Sequence, residues 1–307
     1  MFLTGFADEA GSSLDIQIKA TKELGWKYIE TRNIDGKNLS TLTDAEFDTL
    51  CEKLDNAGIA INCYGSSIAN WGMHPRSEED FENSKKLLFA AIPRMHKLNI
   101  KLLRGMSFKM VTEEAPDNPE LEKIIFSKVN ELVDICADNG IVYGHENCMN
   151  YGGLSYQHTL KLIDNINKKD AFTLIFDTGN PVFNYRRIGN FPYALQSTWE
   201  FYHYVKEFIS YVHIKDGTAL PTEDGITRPA CKYCWAGDGS GDVRAVLYDL
   251  IRNGYDGGFS MEPHVAAVFH DAAENSTSLE EVKYSSYVEY GRRFEKMLNE
   301  IKKDCGK

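Results

Sequence analysis

The hydrophobic positions of this chain follow one rhythm repeated eight times: a short β-rich run, then a longer stretch whose apolar residues recur at helical spacing. The runs are Phe2 to Phe6, Lys27 to Thr31, Ile59 to Tyr64, Ile100 to Gly105, Ile141 to Glu146, Phe172 to Asp177, Tyr211 to Lys215 and Gly258 to Glu262. In the stretches between, Ile124, Val129, Leu132, Val133 and Cys136 share one helix face, as do Val243, Val246, Leu247, Leu250 and Ile251. Each such helix has an apolar stripe to lay against a sheet. Helix starts are marked by the capping box Thr43 to Glu46, by Ser77 to Asp80, and by Asn118 ahead of Pro119. Gly25, Gly58, Asn99, Gly140 and Gly257 stand just before strand runs and read as helix C-caps.

Eight βα units of about 38 residues in a chain of 307 predict an α/β fold, a single (β/α)8 TIM barrel with a parallel eight-stranded sheet and outer helices. The expectation is one domain over residues 1–307. A doubly wound open sheet is the alternative, but no glycine-rich dinucleotide fingerprint follows the first strand. One connection is outsized, from Asp216 to Asp242, and a loop of that length reads as a lid or binding loop over the C-terminal face.

Composition narrows the classes. Hydrophobic residues at 43% and charged residues at 26% fit a globular chain with a sizeable core and exclude disordered and fibrous classes. Lys and Arg number 34 against 45 Asp and Glu, a net charge of −11, and no basic stripe exists to meet a phosphate backbone. The expected partners therefore include neither nucleic acid nor membrane. The N-terminus lacks the features of a leader, and the longest strongly apolar stretch, Leu87 to Ile92, is far short of the roughly 20 residues of a membrane span. A cytoplasmic protein is expected. Seven irregularly spaced cysteines argue for reduced thiols, and Cys231-x-x-Cys234, with no second pair, reads as a loop without metal or redox chemistry.

Barrel enzymes carry their chemistry at the C-terminal ends of the strands. Four consecutive strands here end in metal-ligand types: Glu146 on the fifth, Asp177 on the sixth, His213 on the seventh and Glu262 on the eighth. Three carboxylates meeting at one rim without a cation would repel at high cost. Two glutamates, one aspartate and one imidazole form an oxygen-rich set suited to one divalent cation, manganese foremost, with magnesium or cobalt as alternatives.

The segments Gly5 to Ala10, Asp35 to Asn38, His145 to Asn147, Phe176 to Asn180, His213 to Asp216, Gly237 to Asp242 and Gly257 to His264 together resemble the xylose-isomerase-like TIM-barrel superfamily, in its sugar phosphate isomerase/epimerase branch. The resemblance covers nearly the whole chain. It implies that Glu146, Asp177, His213 and Glu262 bind one divalent cation, and that Glu146 and Glu262 face opposite sides of a carbohydrate substrate as proton-transfer groups. The implied activity is that of a metal-dependent sugar isomerase or epimerase. Superfamily epimerases commonly carry D-x-x-H after strand six, whereas this chain has Asp177-x-x-Asn180; asparagine donates a hydrogen bond but carries no proton.

Further candidates surround that set. His145 is a candidate additional base, in the case that strand alternation fails at the end of strand five. Arg104, Lys215 and Asn180 are candidate donors to substrate oxygens, with structural salt bridges as the alternative for the two cations. Glu30 and His264 read as a barrel-mouth ion pair and a contact behind the ligands. Trp71, Tyr151, Trp199 and Trp235 are aromatic candidates for stacking on a sugar or an aglycone, Trp235 foremost, or else packing residues. Gly237 to Gly241 would receive a phosphate or form the turn into the next helix.

Three other functions compete. A lyase would use the same cation and base to eliminate a β-substituent, as in superfamily subunits that cleave C-glycosides after sugar oxidation, acting on a 3-oxo-glycoside beside a small β-sheet subunit. An abasic-site endonuclease-like phosphodiesterase would need more histidines at the strand ends and a basic rim; this chain has eight histidines in all. A metal-free binding barrel would not need the intact quartet. Homo-oligomerisation through helices and loops is expected by analogy with such barrels.

Overall fold

The structure, a computed structural model, describes residues 1–225, 228–265 and 279–307. In chain order it runs β1 (Phe2–Gly5), α1 (Leu14–Glu23), β2 (Tyr28–Thr31), α2 (Asp44–Ala57), β3 (Ala60–Gly65), α3 (Glu78–Lys97), β4 (Leu102–Gly105) and α4 (Pro119–Asp138). It continues through β5 (Val142–Glu146), α5 (Tyr156–Asp164), β6 (Phe172–Asp177), α6 (Thr198–Val205), β7 (Ile209–Ile214), β8 (Gly217–Leu220) and β9 (Ala230–Tyr233), ending in α7 (Val243–Arg252), β10 (Gly258–Met261) and α8 (Leu279–Asp304). Eight strands pair in parallel in the order β1, β10, β7, β6, β5, β4, β3, β2. A parallel bridge between Phe6 and Glu30 joins the two ends of that order, giving the (β/α)8 barrel that the sequence rhythm predicts.

Local chemistry explains the boundaries. Thr43 and Glu46 form a reciprocal capping box on α2, Ser77 accepts from Asp80 N on α3, and Asn118 accepts from Glu120 N and Leu121 N where Pro119 opens α4. Gly58 takes the left-handed conformation after α2, and Asn99 and Gly140 turn the chain in the same way before β4 and β5. The expectation fails at Gly257. The left-handed residue after α7 is Gly254, while Gly257 is small because a Cβ there would lie 2.3 Å from Ser210 O.

The main core lies between the strands and the helices, built from residues such as Leu103, Val129, Leu132, Val133, Val246, Leu247, Phe259 and Phe294. Inside the barrel the apolar filling is small: Cys63, Ile175 and Tyr211, with Phe2 and Leu102 against them. All seven cysteines are free thiols. Among the described residues, no helix is long and apolar enough to cross a membrane.

The long connection after β7 is not featureless. β8 and β9 pair as an antiparallel hairpin, with Gly217 opposite Tyr233 and Leu220 opposite Ala230. The hairpin is bounded by Asp216, which is fully buried. Its carboxylate accepts the backbone N–H groups of Gly217 (2.8 Å), Gly237 (2.9 Å), Gly239 (3.0 Å) and Gly241 (2.8 Å). These contacts overturn the phosphate reading of Gly237 to Gly241: the donors that would greet an anion already hold one from the protein. A Cβ at Gly239 would fall 2.3 Å from Asp216 Oδ1, so only glycine allows this approach.

Asp216→Ala strands these donors and is expected to destabilise the fold by about 2–4 kcal/mol, read by urea denaturation. Ser240→Ala, which leaves the clamp untouched, serves as the control and should stay within about 0.5 kcal/mol of wild type.

Candidate metal centre and active site

Parallel strands in register bring their last residues to one rim. Asp177 closes β6 opposite His213 on β7, Ser260 on β10 pairs with His213 from the other side, and Glu262 follows as its backbone N–H donates to Ile214 O. Glu146 closes β5. The structure thus brings Glu146, Asp177, His213 and Glu262 together, all buried, each offering one donor atom within 4.8 Å of the others.

The imidazole is held from both sides. His213 Nδ1 lies 3.3 Å from Glu146 Oε1 and 4.0 Å from Asp177 Oδ2, while Nε2 lies 3.1 Å from Glu30 Oε2. Glu30 also accepts from Tyr211 Oη, which accepts from Asn62, which accepts from Thr4. A buried carboxylate with only acceptors keeps a proton on Nε2 and turns Nδ1 toward the other three residues, where a cation would take the place of the second proton. Burial pushes the His213 pKa down, but Glu30 and Glu146 override it and hold it at about 10. Glu146 has the opposite balance: burial raises it, yet Arg104 and His213 bring it to about 2.

Asp177 shows what the set lacks. Oδ1 accepts from Gly179 N and Asn180 N, but Oδ2 makes no hydrogen bond; Lys215 Nζ stands 2.9 Å away, off the axis of one. Burial, together with Glu262 and Glu146, pushes this carboxyl up to about 6 despite Lys215. A carboxylate oxygen with an ion-pair contact but no hydrogen bond, beside two carboxylates and an imidazole nitrogen, fits a divalent cation that prefers oxygen, with one nitrogen tolerated.

Beside the quartet, and lined by its Glu146 and Glu262, opens a cavity of about 360 Å³, within the ordinary range for small-molecule sites. Three of the sequence-derived binding candidates line it. Arg104 donates to Glu146 Oε2 at 3.1 Å, Lys215 donates to Glu262 Oε2 at 2.7 Å, and Asn180 Nδ2 donates to Glu146 Oε1 at 3.2 Å. Arg32, which the sequence reading missed, donates to Glu262 Oε1 at 2.8 Å and pairs with Asp8. It directly follows β2, so the same rule of strand ends reaches it. His264 Nε2 is 3.3 Å from Glu262 Oε1 and its Nδ1 is 3.1 Å from Glu9. Arg228 and Tyr233, from the hairpin region, complete one wall.

Four candidates lie elsewhere: Tyr151 is buried and donates to Glu122 Oε1 at 2.8 Å, Trp199 packs on Tyr202 with ring centres 5.6 Å apart, and Trp235 and His145 also turn away. Trp235 is not in the cavity: its ring packs 5.9 Å from that of Tyr290 on α8, with Arg293 4.4 Å over its face. The tryptophan that lines the cavity is Trp71. His145 obeys the strand alternation and points away from Glu146, with Nε2 2.9 Å from Ser107 Oγ and its ring stacked against Phe172. Burial lowers its pKa to about 4, which leaves it neutral.

With the geometry in view, the comparisons fall into place. The family model for the xylose isomerase-like TIM barrel matches residues 18–284, and the chain belongs to that family. No curated protein matches it in sequence. Solved structures share the fold at low identity. A xylose isomerase-like TIM barrel protein from Mycobacterium smegmatis in complex with magnesium superposes with a TM-score of 0.66 at 18% identity, over 97% of both chains. A D-tagatose 3-epimerase-like protein gives 0.67 at 19%, over 98% of this chain and 99% of its own. A D-allulose 3-epimerase from Methylomonas sp., in complex with D-allulose, gives 0.65 at 16%, over 96% of both.

Two measurements follow. Titration calorimetry with Mn²⁺ is expected to give about one site per chain, with affinity lowered about 10- to 100-fold in Glu30→Gln, because the imidazole loses the carboxylate that orients it. His145 sets a separate pH dependence. Its folded pKa lies below the unfolded value, so the unfolded chain takes up a proton first as pH falls, and stability is lost on going from neutral pH toward about 4. Urea denaturation should show about 2 kcal/mol lost between about pH 7 and 5 from this residue, and His145→Gln should remove that part of the slope.

Proposed function

We propose that this protein moves a proton at the carbon beside the carbonyl of a sugar or sugar derivative, as an isomerase or epimerase dependent on one divalent cation, manganese foremost. The observation that carries the reading is the buried quartet of Glu146, Asp177, His213 and Glu262, its donors within 4.8 Å of one another, of which Glu146 and Glu262 also line a cavity. The residues that would hold the cation are these four. When bound, a divalent cation supplies Lewis-acid polarisation of a carbonyl and so acidifies the neighbouring C–H.

The remaining work falls to the side chains. β5 and β10 are separated in the barrel by β6 and β7, so Glu146 and Glu262 reach the cavity from different sides. One carboxylate takes the proton from carbon and loses it to solvent, while the other, having drawn a proton from solvent, delivers it to carbon. Delivery to the same carbon from the opposite face inverts the centre; delivery to the neighbouring carbon, with the hydroxyl proton passing between the two oxygens, interconverts aldose and ketose. Arg104 and Lys215 hold the two carboxylates ionised before substrate arrives, and when they turn to substrate hydroxyls, together with Arg32 and Asn180, each glutamate is freed to take up a proton. Asn180 binds without titrating, which leaves proton transfer to the glutamates.

The test is turnover of a ketose and aldose panel in D₂O with added Mn²⁺. Wild type should place solvent deuterium beside the carbonyl. Glu146→Gln and Glu262→Gln should each lose at least about 100-fold in kcat while folding normally. Full turnover by either variant would overturn the two-carboxylate reading.

A further inference from the structure

Each carboxylate of the quartet spends one oxygen on donors held in place by the fold. Asp177 Oδ1 accepts from the backbone of Gly179 and Asn180, Glu262 Oε1 accepts from Arg32, and Glu146 Oε2 accepts from Arg104. The second oxygen of each, with His213 Nδ1, is left for a cation. Of these three oxygens, Glu146 Oε1 meets the neutral amide of Asn180. The other two meet the same group: Lys215 Nζ lies 2.9 Å from Asp177 Oδ2 and 2.7 Å from Glu262 Oε2.

One ammonium therefore spans two ligands that arrive from different strands. An ammonium is a compact point charge on a flexible stem, with donors and no acceptor. It cannot keep those oxygens once a divalent cation claims their lone pairs, because the two positive charges would face each other in an interior that screens poorly. Lys215 also has somewhere to go. Its stem runs over Gly179, where a Cβ would lie 2.7 Å from Lys215 Cγ, and the residue lines the cavity beside Asn180. We infer that Lys215 is an internal competitor of the divalent cation: its ammonium holds Asp177 and Glu262 until the cation binds, then turns into the cavity and becomes a donor for substrate oxygens. This rests on the cation reading above and extends it to the order of binding, in which the cation comes first and releases a donor to the cavity wall. By reciprocity, a ligand that keeps the ammonium in the cavity tightens the hold on the cation.

Titration calorimetry of Mn²⁺ into wild type and Lys215→Met tests the competition. The variant is expected to bind Mn²⁺ about tenfold tighter, since no ammonium has to be displaced. Damage to the site would lower the affinity instead. In wild type, brief acetylation with acetic anhydride, read by peptide mass spectrometry, reports where the ammonium stands. Lys215 is buried and paired, and a shift of its population into the cavity should make it acetylate at least about threefold faster with Mn²⁺ than without. Lys161, which pairs with Asp117 and Glu122 away from the quartet, should keep one rate. Equal or weaker Mn²⁺ binding by Lys215→Met overturns the competition and leaves the cation reading standing. Tighter binding with Lys215 acetylation indifferent to Mn²⁺ overturns it too, because charge repulsion alone leaves the ammonium where it is. Absence of Mn²⁺ binding to both proteins overturns both readings.

Discussion

Three carboxylates buried at one point set the terms for the rest of this structure. Like charges in a poorly polarisable interior repel strongly, and the chain answers with cations drawn from different strand ends. Arg104 comes from β4, Lys215 follows β7, Arg32 follows β2 and His264 follows β10. A single helix or hairpin could not gather so many charges around one centre. A closed parallel sheet does so because every strand points its C-terminal end the same way. The compensation is uneven, and Asp177 is where the shortfall appears, in an oxygen that meets Lys215 without a hydrogen bond and in a raised pKa.

The two cores divide the work. The layer between strands and helices supplies most of the apolar burial, while the barrel interior holds only a small apolar plug and a polar chain from Thr4 through Asn62, Tyr211 and Glu30 to His213. Stability resides outside the barrel, so the inside is free to carry charge. Such an interior would be a liability in a fold that relied on it for cohesion.

Much of this is legible in the sequence because it depends on period and direction. The repeated strand and helix pattern gives the barrel, and strand ends give the quartet, since both follow from the geometry of the backbone. What escapes depends on contacts between distant segments. Glu30 is visible as a strand-end acid, but its pairing with His213 joins residues 183 positions apart. Arg32 follows the rule yet sits one residue past its strand, where a basic side chain reads as an ordinary surface group. Trp235 fails because loop length predicts nothing about which way a ring turns, and its ring found α8. His145 fails because the alternation of side chains across the sheet holds to the last residue of β5.

The Asp216 clamp fastens the exit of β7 to the glycine turn that leads into α7, closing the ends of the hairpin segment upon themselves. The ends of the segment between them are thereby held in place independently of its length, although Tyr233 within it packs on His264 and Phe183. A bounded insert of this kind carries Arg228 and Tyr233 to the cavity wall, so a change in its sequence alters the lining of the cavity from one segment while the strand ends keep their places.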